Sequence, residues 1–404
     1  MIRLNGRPLR VLAADDSSVM RGILWKLFLM HAKERPEELP PMELCGVARD
    51  GIECLEQVKK LKPDVIVLDL EMPGLNGLDV LDRLRVLNPE LPVIMCSAYT
   101  EHGARLTLEA LGRGAVDYVT KPSGQRDFIE AMKSLAQQLL PRLGALARDV
   151  RSIEERTLSK ELPDVHDAQA SSRSSNLIEV VVIGLSTGGP TALEQLLPKL
   201  PKDFPVPVLI TQHMPKLFTG ALAERLDKCC SLRVEEAYDN AVIRPGTIWL
   251  APGDSHMEVA PFRTMSDDGR IGEVRSSRVR LHQQEPLNHC RPSVDYLFFS
   301  ASRLYGPGTL ALVMTGMGAD GLNGARAVRE RGGVVLAQDK ITSAVWGMPG
   351  RVSTAGIANA TLPLWGIANA LRQRVAAGYS VRAGMEASAS DTFASRWGMT
   401  NGLL

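Results

Sequence analysis

The sequence predicts an α/β protein made of two doubly wound parallel-sheet domains, and three observations carry that prediction. Short apolar runs that read as strands alternate with amphipathic stretches of helix length along most of the chain. Those runs are apolar almost throughout rather than at every second residue, as expected where helices cover both faces of a parallel sheet. Between two such series, residues 141–176 change character: Arg148–Leu162 is charged and suited to a helix lying on a neighbour, and Pro163–Asn176, rich in Ser, Asp and Gln, reads as a flexible linker. The 404 residues suffice for two or three cores at roughly 150 residues per domain.

In the first domain, residues 1–140, strand-like runs fall at Leu9–Ala14, Glu43–Val47, Asp64–Leu68, Leu91–Cys96 and Ala115–Val119. Helical stretches at Ser18–His31, Gly51–Leu61, Gly77–Leu87, Glu101–Arg113 and Gln125–Leu140 separate and follow them. Right-handed crossovers then make a doubly wound sheet with its site at the carboxyl ends of the strands. Pro36, Pro40 and Pro41 mark a long loop before the second strand. The second domain, residues 177–377, is predicted to have strands at Glu179–Ile183, Val206–Thr211, Thr247–Ala251, Leu310–Thr315 and Val334–Ala337. Its helices are predicted at Thr191–Pro198, Lys216–Lys228, Pro292–Leu304 and Gly321–Arg331, with a polar hairpin or loop excursion at 261–285. The tail, residues 378–404, has few large apolar residues and reads as disordered.

A net charge of +1 argues for neither nucleic acid nor an anionic membrane as partner. No apolar run approaches the roughly 20 residues that span a bilayer, and Met1-Ile-Arg-Leu-Asn-Gly-Arg lacks the apolar segment of a signal peptide. Cysteines 45, 54, 96, 229, 230 and 290 show no metal-ligand spacing. Together these features predict a protein of the reducing cytoplasm, with no disulfide framework and no membrane insertion.

Chemistry-bearing residues cluster at strand ends. Asp15 and Asp16 follow the first strand of domain one and Asp69 the third, so three carboxylates meet in one crevice. Crowded carboxylates repel unless a cation lies between them, and an all-oxygen site suits Mg²⁺. Ser97 and Lys121 end the fourth and fifth strands and offer a hydroxyl and an ammonium to phosphoryl oxygens. The set fits transfer of a phosphoryl group onto a carboxylate. A lone strand-end Asp is more often a helix cap, but five such positions at strand ends are not explained that way. This region resembles the response-regulator receiver domain, of flavodoxin-like fold. The resemblance implies Asp69 as phospho-acceptor, Asp15 and Asp16 as Mg²⁺ holders, Ser97 and Lys121 as the switch pair and Tyr118 as the aromatic switch residue.

In domain two, Ser186 stands between the strand-like Val180-Val-Val-Ile-Gly and Thr187-Gly-Gly-Pro190. Glycines allow a sharp turn, and the N–H groups and positive end of the following helix can stabilise an oxyanion. Gly184, Gly188 and Gly189 are also compatible with a phosphate loop, although the full dinucleotide spacing is missing. His213, after the strand ending at Thr211, is the foremost base, with His256 as competitor. Asp320, in Thr315-Gly-Met-Gly-Ala-Asp-Gly321, is either the acid that orients the base or a turn aspartate. The order Ser, His, Asp differs from that of α/β-hydrolases, so the triad rests on geometry and roles.

Over residues 9–377 the chain resembles the chemotaxis response regulator protein-glutamate methylesterases. The resemblance is carried by Ser186-Thr-Gly-Gly, Ile210-Thr-Gln-His-Met-Pro, Leu250-Ala-Pro-Gly-Asp-Ser-His-Met, Arg291-Pro-Ser-Val-Asp295, Thr315-Gly-Met-Gly-Ala-Asp-Gly and Trp346-Gly-Met-Pro. It implies a Rossmann-like serine hydrolase domain with Ser186 as nucleophile, His213 as base and Asp320 as orienting acid. Thr187 and the Met317 backbone would lie at the oxyanion, and His256 and Arg291 would have substrate-facing roles. It further implies demethylation of glutamate methyl esters and deamidation of glutamine, without a cofactor for the esterase step. The implied partners are a histidine kinase and the cytoplasmic region of membrane chemoreceptors, and the unphosphorylated receiver would cover the triad. Leu185, His289-Cys290 and Gly350 depart from the family pattern. Two other readings remain open at this level: a non-catalytic docking and phosphate-sink module, and a nucleotide-binding effector built on Gly184–Gly189.

Overall fold

A computed structural model describes residues 7–34, 36, 39–123, 127–154, 177–262 and 276–377. The first domain runs β1 (Leu9–Ala14), α1 (Ser18–Lys33), β2 (Met42–Ala48), α2 (Gly51–Leu61), β3 (Val65–Asp69), α3 (Gly77–Leu87), β4 (Val93–Ser97), α4 (Glu101–Gly112), β5 (Asp117–Thr120) and α5 (Phe128–Glu154). All strands pair in parallel, in the order β2-β1-β3-β4-β5. Residues Val65–Asp69 and Val93–Ser97 are buried throughout, which is why these runs are uniformly apolar until their last position. Local signals set the helix starts: Ser17, Asp50, Asn76 and Thr100 each accept an N–H of the first turn, satisfying a donor that the helix itself cannot.

The fifth helix departs from expectation. The sequence pattern ends it at Leu140, but it continues to Glu154, so residues 141–147 are helical and run into the start of the stretch Arg148–Leu162 that was suited to a helix. Pro141 lies inside it and lacks the N–H that would meet Gln137 four residues back, yet the helix continues through apolar positions such as Leu143 and Ala147, which are buried. The rest of the expected linker and the tail from 378 lie outside the described residues.

The second domain continues with β6 (Val180–Leu185), α6 (Gly189–Leu196), β7 (Val208–Gln212), α7 (Lys216–Asp227), β8 (Arg233–Glu236), β9 (Val242–Ile243), β10 (Thr247–Leu250), β11 (His256–Phe262), β12 (Ser276–His282), α8 (Val294–Tyr305), β13 (Thr309–Val313), α9 (Leu322–Glu330), β14 (Val334–Gln338), α10 (Met348–Thr354) and β15 (Ala360–Leu362). A last helix, α11, spans 364–377. The main sheet is parallel with seven strands in the order β15-β14-β13-β6-β7-β10-β8. Both edge strands, β8 and β15, were not anticipated: Arg-Val-Glu-Glu and Ala-Thr-Leu are too short and too polar to stand out in sequence. The expected excursion is part of an antiparallel sheet, β11-β12-β9, whose pairing begins at His256↔His282; residues 263–275 lie outside the described residues.

The two domains share one apolar cluster. Helix α4 packs on α6 and α7, bringing Leu108 and Leu111 into the same buried cluster as Phe218 and Leu222. Tyr118 stacks on Phe218 with ring centres 4.8 Å apart and planes 10° apart, and Tyr99 adds a second stack at 6.4 Å. No helix among the described residues is long and apolar enough to cross a membrane.

Candidate active site and phospho-acceptor site

Strands β6, β7 and β13 are neighbours in the main sheet, with β6 in the middle, and the chain leaves β6 to one side before returning to its other side. Carboxyl ends of strands at such a switch point open a crevice. Ser186 follows β6, His213 follows β7 and Asp320 ends the turn after β13. The register pairs Leu185 with Gln212, which sets Ser186 and His213 side by side. His213 N donates to Leu185 O at 3.0 Å, and Gln212 Nε2 donates to Ser186 O at 2.9 Å and to His213 O at 3.1 Å.

The turn at Ser186 depends on glycine. Gly188 has φ +77°, a left-handed conformation, and a Cβ there would lie 2.5 Å from Ala344 Cβ. A Cβ on Gly189 would lie 1.8 Å from Gln212 Oε1. Across the crevice Gly316 approaches so closely that a Cβ would sit 2.8 Å from Ser186 Cβ. Ser186 N is bonded to Thr315 O, so it is not available to an oxyanion. The N–H groups of Thr187 and Met317 have no acceptor among the described residues.

His213 Nε2 lies 2.8 Å from Asp320 Oδ2. Asp320 is almost fully enclosed and saturated with donors. Its Oδ2 also accepts Val294 N at 2.7 Å, and its Oδ1 accepts Ser293 Oγ at 2.8 Å, Asn288 Nδ2 at 2.9 Å and Gly321 N at 3.1 Å. Burial would raise its pKa, but His213, Val294 and Asn288 together hold it below the ordinary value. Conversely, burial would lower the His213 pKa, but Asp320 and the neighbouring Cys290 push it up, to about 10. The second ring nitrogen, Nδ1, faces Cys290 Sγ at 3.5 Å, and no hydrogen bond joins Ser186 Oγ to the imidazole among the described residues. Catalytic hydrogen bonds are often long before substrate binds, and here the two residues follow paired positions on adjacent strands.

The structure gives the surroundings of the two residues expected to face substrate. His256 is fully buried, its Nδ1 accepts Ser293 N at 3.2 Å and its Nε2 lies 3.3 Å from Glu285 O. Arg291 pairs with Asp254, with Nη2 to Oδ1 at 2.6 Å, and donates to the carbonyls of Gln283 and Gln284. Sequence reasoning missed Ser293 and Asn288, which hold Asp320, and Gln212, which ties the serine turn to β7. Ser293 and Gln212 lay in motifs already singled out, without a role read for either; Asn288 lay in none. Gly350, a departure from the family pattern, has a reason in packing: a Cβ there would lie 3.0 Å from the Trp346 ring.

In the first domain Asp15, Asp16 and Asp69 offer carboxylate oxygens within 4.8 Å of one another. Lys121 Nζ lies 2.7 Å from Asp69 Oδ2 and 3.0 Å from Asp15 Oδ2, yet neither oxygen has a hydrogen-bond partner of good geometry. Burial, then Asp15, pushes the Asp69 carboxyl up to about 6 against the pull of Lys121. Burial opposes the Lys121 ammonium, but Asp69 and Asp15 raise its pKa overall. A cluster of oxygen donors with two under-satisfied buried oxygens fits a hard divalent cation. Ser97 Oγ is turned to the carbonyls of Gly103 and Ala98, at 3.1 and 3.3 Å. Tyr118 lies under Phe218 of the second domain.

Comparison with known proteins agrees with this division of labour. A family model described as CheB methylesterase matches residues 181–371, and one described as response regulator receiver domain matches residues 11–133. Proteins named protein-glutamate methylesterase/protein-glutamine glutaminase are similar over nearly their whole length. The one from Trichodesmium erythraeum is 40% identical, covering 91% of this chain and 99% of the relative. The one from a Nocardioides species is 41% identical over 91% and 96%. The one from Thermotoga maritima is 38% identical over 92% and 100%. With a receiver domain ahead of a strand-end serine and an Asp-held histidine, the chain belongs to the family of protein-glutamate methylesterases/protein-glutamine glutaminases.

Proposed function

We propose that the chain is a serine hydrolase, controlled by phosphorylation of Asp69, that demethylates glutamate methyl esters and deamidates glutamines on chemoreceptors. The observation that carries it is the 2.8 Å bond between His213 Nε2 and a fully solvated-by-protein Asp320, beside the serine turn. With Asp320 on Nε2, the lone pair of Nδ1 is the one that can take a proton. Ser186 Oγ attacks the ester carbonyl as its proton passes to His213, and the oxyanion is received by the free N–H groups of Thr187 and Met317. The tetrahedral adduct expels methanol, taking the proton back from His213. Water, deprotonated by His213, then attacks the acyl-serine, releasing the glutamate carboxylate and restoring Ser186. With glutamine the leaving group is ammonia.

The regulatory half of the proposal rests on the interface. Thr187, Ala344 and Val345 pack around a small cavity with Ile94, Val116, Asp117, Arg142 and Leu146 of the receiver, directly beside Ser186. A larger cavity of 520 Å³ separates Pro36, Leu39, Pro141 and Gly144 from Met317, Trp346 and Arg351. The receiver thus stands over the oxyanion side and restricts the approach of a receptor helix. Mg²⁺ held by Asp15, Asp16 and Asp69 would supply charge neutralisation while a histidine kinase donates its phosphoryl group to Asp69. Lys121 would follow the phosphate, leaving Asp15, and the altered charge would bias the domains apart.

Methanol release from methylated receptor membranes tests this. Ser186→Ala is expected to lower it at least about a thousandfold with an unchanged circular-dichroism spectrum; undiminished release would refute the nucleophile. Asp69→Ala is expected to have the same activity with and without a small phosphodonor, whereas the parent chain is stimulated.

A further inference from the structure

Cys290 stands at the site but no step of the reaction uses it. Its Sγ lies 3.5 Å from His213 Nδ1, and donor atoms of His213, Cys290 and Asp320 all lie within 4.8 Å of one another. The thiol is presented by a tight turn. Leu287 and Cys290 exchange both backbone hydrogen bonds, at 3.2 and 3.0 Å, and Asn288 and His289 between them have left-handed φ values of 54° and 62°. Cys290 is half-buried, and the His213 side chain is 12% exposed, so both are reachable from solvent. The absence of metal-ligand spacing among the cysteines in sequence is therefore misleading for this one: its partners come from 77 residues before it and 30 after.

We propose that His213 Nδ1 and Cys290 Sγ bind Zn²⁺, with Asp320 holding the imidazole from behind, and that its occupancy reversibly blocks the esterase. An imidazole nitrogen and a thiolate are donors for a borderline-soft divalent ion, whereas Mg²⁺ and Ca²⁺ take oxygen. Tetrahedral zinc with ordinary bond lengths separates an imidazole nitrogen from a thiolate sulfur by about 3.4–3.6 Å. Nδ1 and Sγ stand 3.5 Å apart without rearrangement. Asp320 on Nε2 fixes the ring and directs the Nδ1 lone pair toward the thiol, as carboxylates do behind metal-bound histidines. Binding displaces the Cys290 thiol proton to solvent and forms Zn–S and Zn–N bonds; water fills the remaining positions. The ion then occupies the lone pair that must accept the Ser186 proton, so metal binding and ester hydrolysis exclude each other. Only this last consequence rests on the role proposed above for His213.

The experiment uses the full chain in excess Mg²⁺, which fills the receiver's carboxylate cluster, with Co²⁺ as a spectroscopic probe. We expect a thiolate-to-cobalt charge-transfer band that saturates at one equivalent and is removed by Zn²⁺. The band is expected to persist in Ser186→Ala and in a Cys229→Ser/Cys230→Ser double variant, and to vanish in Cys290→Ser. Zn²⁺ should inhibit methanol release, chelator should restore it, and Cys290→Ser should raise the inhibitory concentration at least about tenfold relative to its own uninhibited rate. A band that survives Cys290→Ser, no band at all, or equal inhibition of the variant and the parent would overturn the proposal. A band that behaves as expected while Ser186→Ala still releases methanol would instead defeat the serine mechanism and leave the metal site standing.

Discussion

At the scale of single residues, the site is governed by one shared proton. His213 and Asp320 stabilise each other's charged forms, so the imidazole pKa rises and the carboxyl pKa falls. A base must be neutral to accept the serine proton. The raised pKa means that the neutral fraction grows as pH rises toward about 10. Methanol release in chelator is therefore expected to climb with pH well past the ordinary histidine value of about 6.5 and to level off on the alkaline side. A plateau reached by pH 7 would show that the pair is looser in the working enzyme. Asn288 adds a second layer: its Nδ2 bridges Asp320 and Asp295, and burial followed by the nearby Asp320 pushes the Asp295 carboxyl up to about 6. The part these outer partners play was not legible in sequence, although Ser293 and Asp295 lie in a quoted motif, because Asn288 and Ser293 take no part in the reaction themselves. They matter only through an acid that lies about 30 residues further along.

At the scale of elements, the chain relies on strand ends that deliver polar groups and on glycines that let backbones close in behind them. This was legible: uniformly apolar runs followed at once by Asp, Ser, His or Lys are improbable unless the run is buried and its end is not. The serine turn tests the glycine argument. Gly189→Ala would place its Cβ 1.8 Å from Gln212 Oε1, the end of a flexible side chain. We expect a stability loss of only about 1–3 kcal/mol by chemical denaturation. Activity should fall more than tenfold, because a displaced Gln212 releases the carbonyls of both Ser186 and His213. Equal activity with a shifted Gln212 would show that these two bonds do not hold the site. Short edge strands and the continuation of α5 past Pro141 escaped the sequence pattern, since pairing and packing there override weak local preference.

At the scale of the whole molecule, two sites built on the same sheet architecture are joined by an apolar face. The stack of Tyr118 on Phe218 links the strand that precedes Lys121 to helix α7, which follows His213. The exposed pair between Arg105 and Glu224 at 3.7 Å adds little to this, being open to water on both sides. Tyr118→Leu keeps the apolar bulk and removes the ring stack, worth about 0.5–1.5 kcal/mol. If the closed arrangement limits the reaction, unstimulated methanol release should rise roughly twofold to tenfold, and the phosphodonor effect should shrink in proportion. Unchanged release would place the restraint elsewhere on the interface.

By itself the sequence determined both folds, the sets of polar residues at strand ends and the family, because periodicity, burial and turn chemistry are local properties that a chain carries in its order of residues. Only the tertiary structure decided which histidine stands beside Asp320, that His256 is buried against Ser293 and Arg291 paired with Asp254, that Cys290 meets the base and how the receiver lies against the serine turn. Those outcomes depend on strand order and on the packing of side chains far apart in the chain, and contacts of that kind leave no periodic trace in a single sequence.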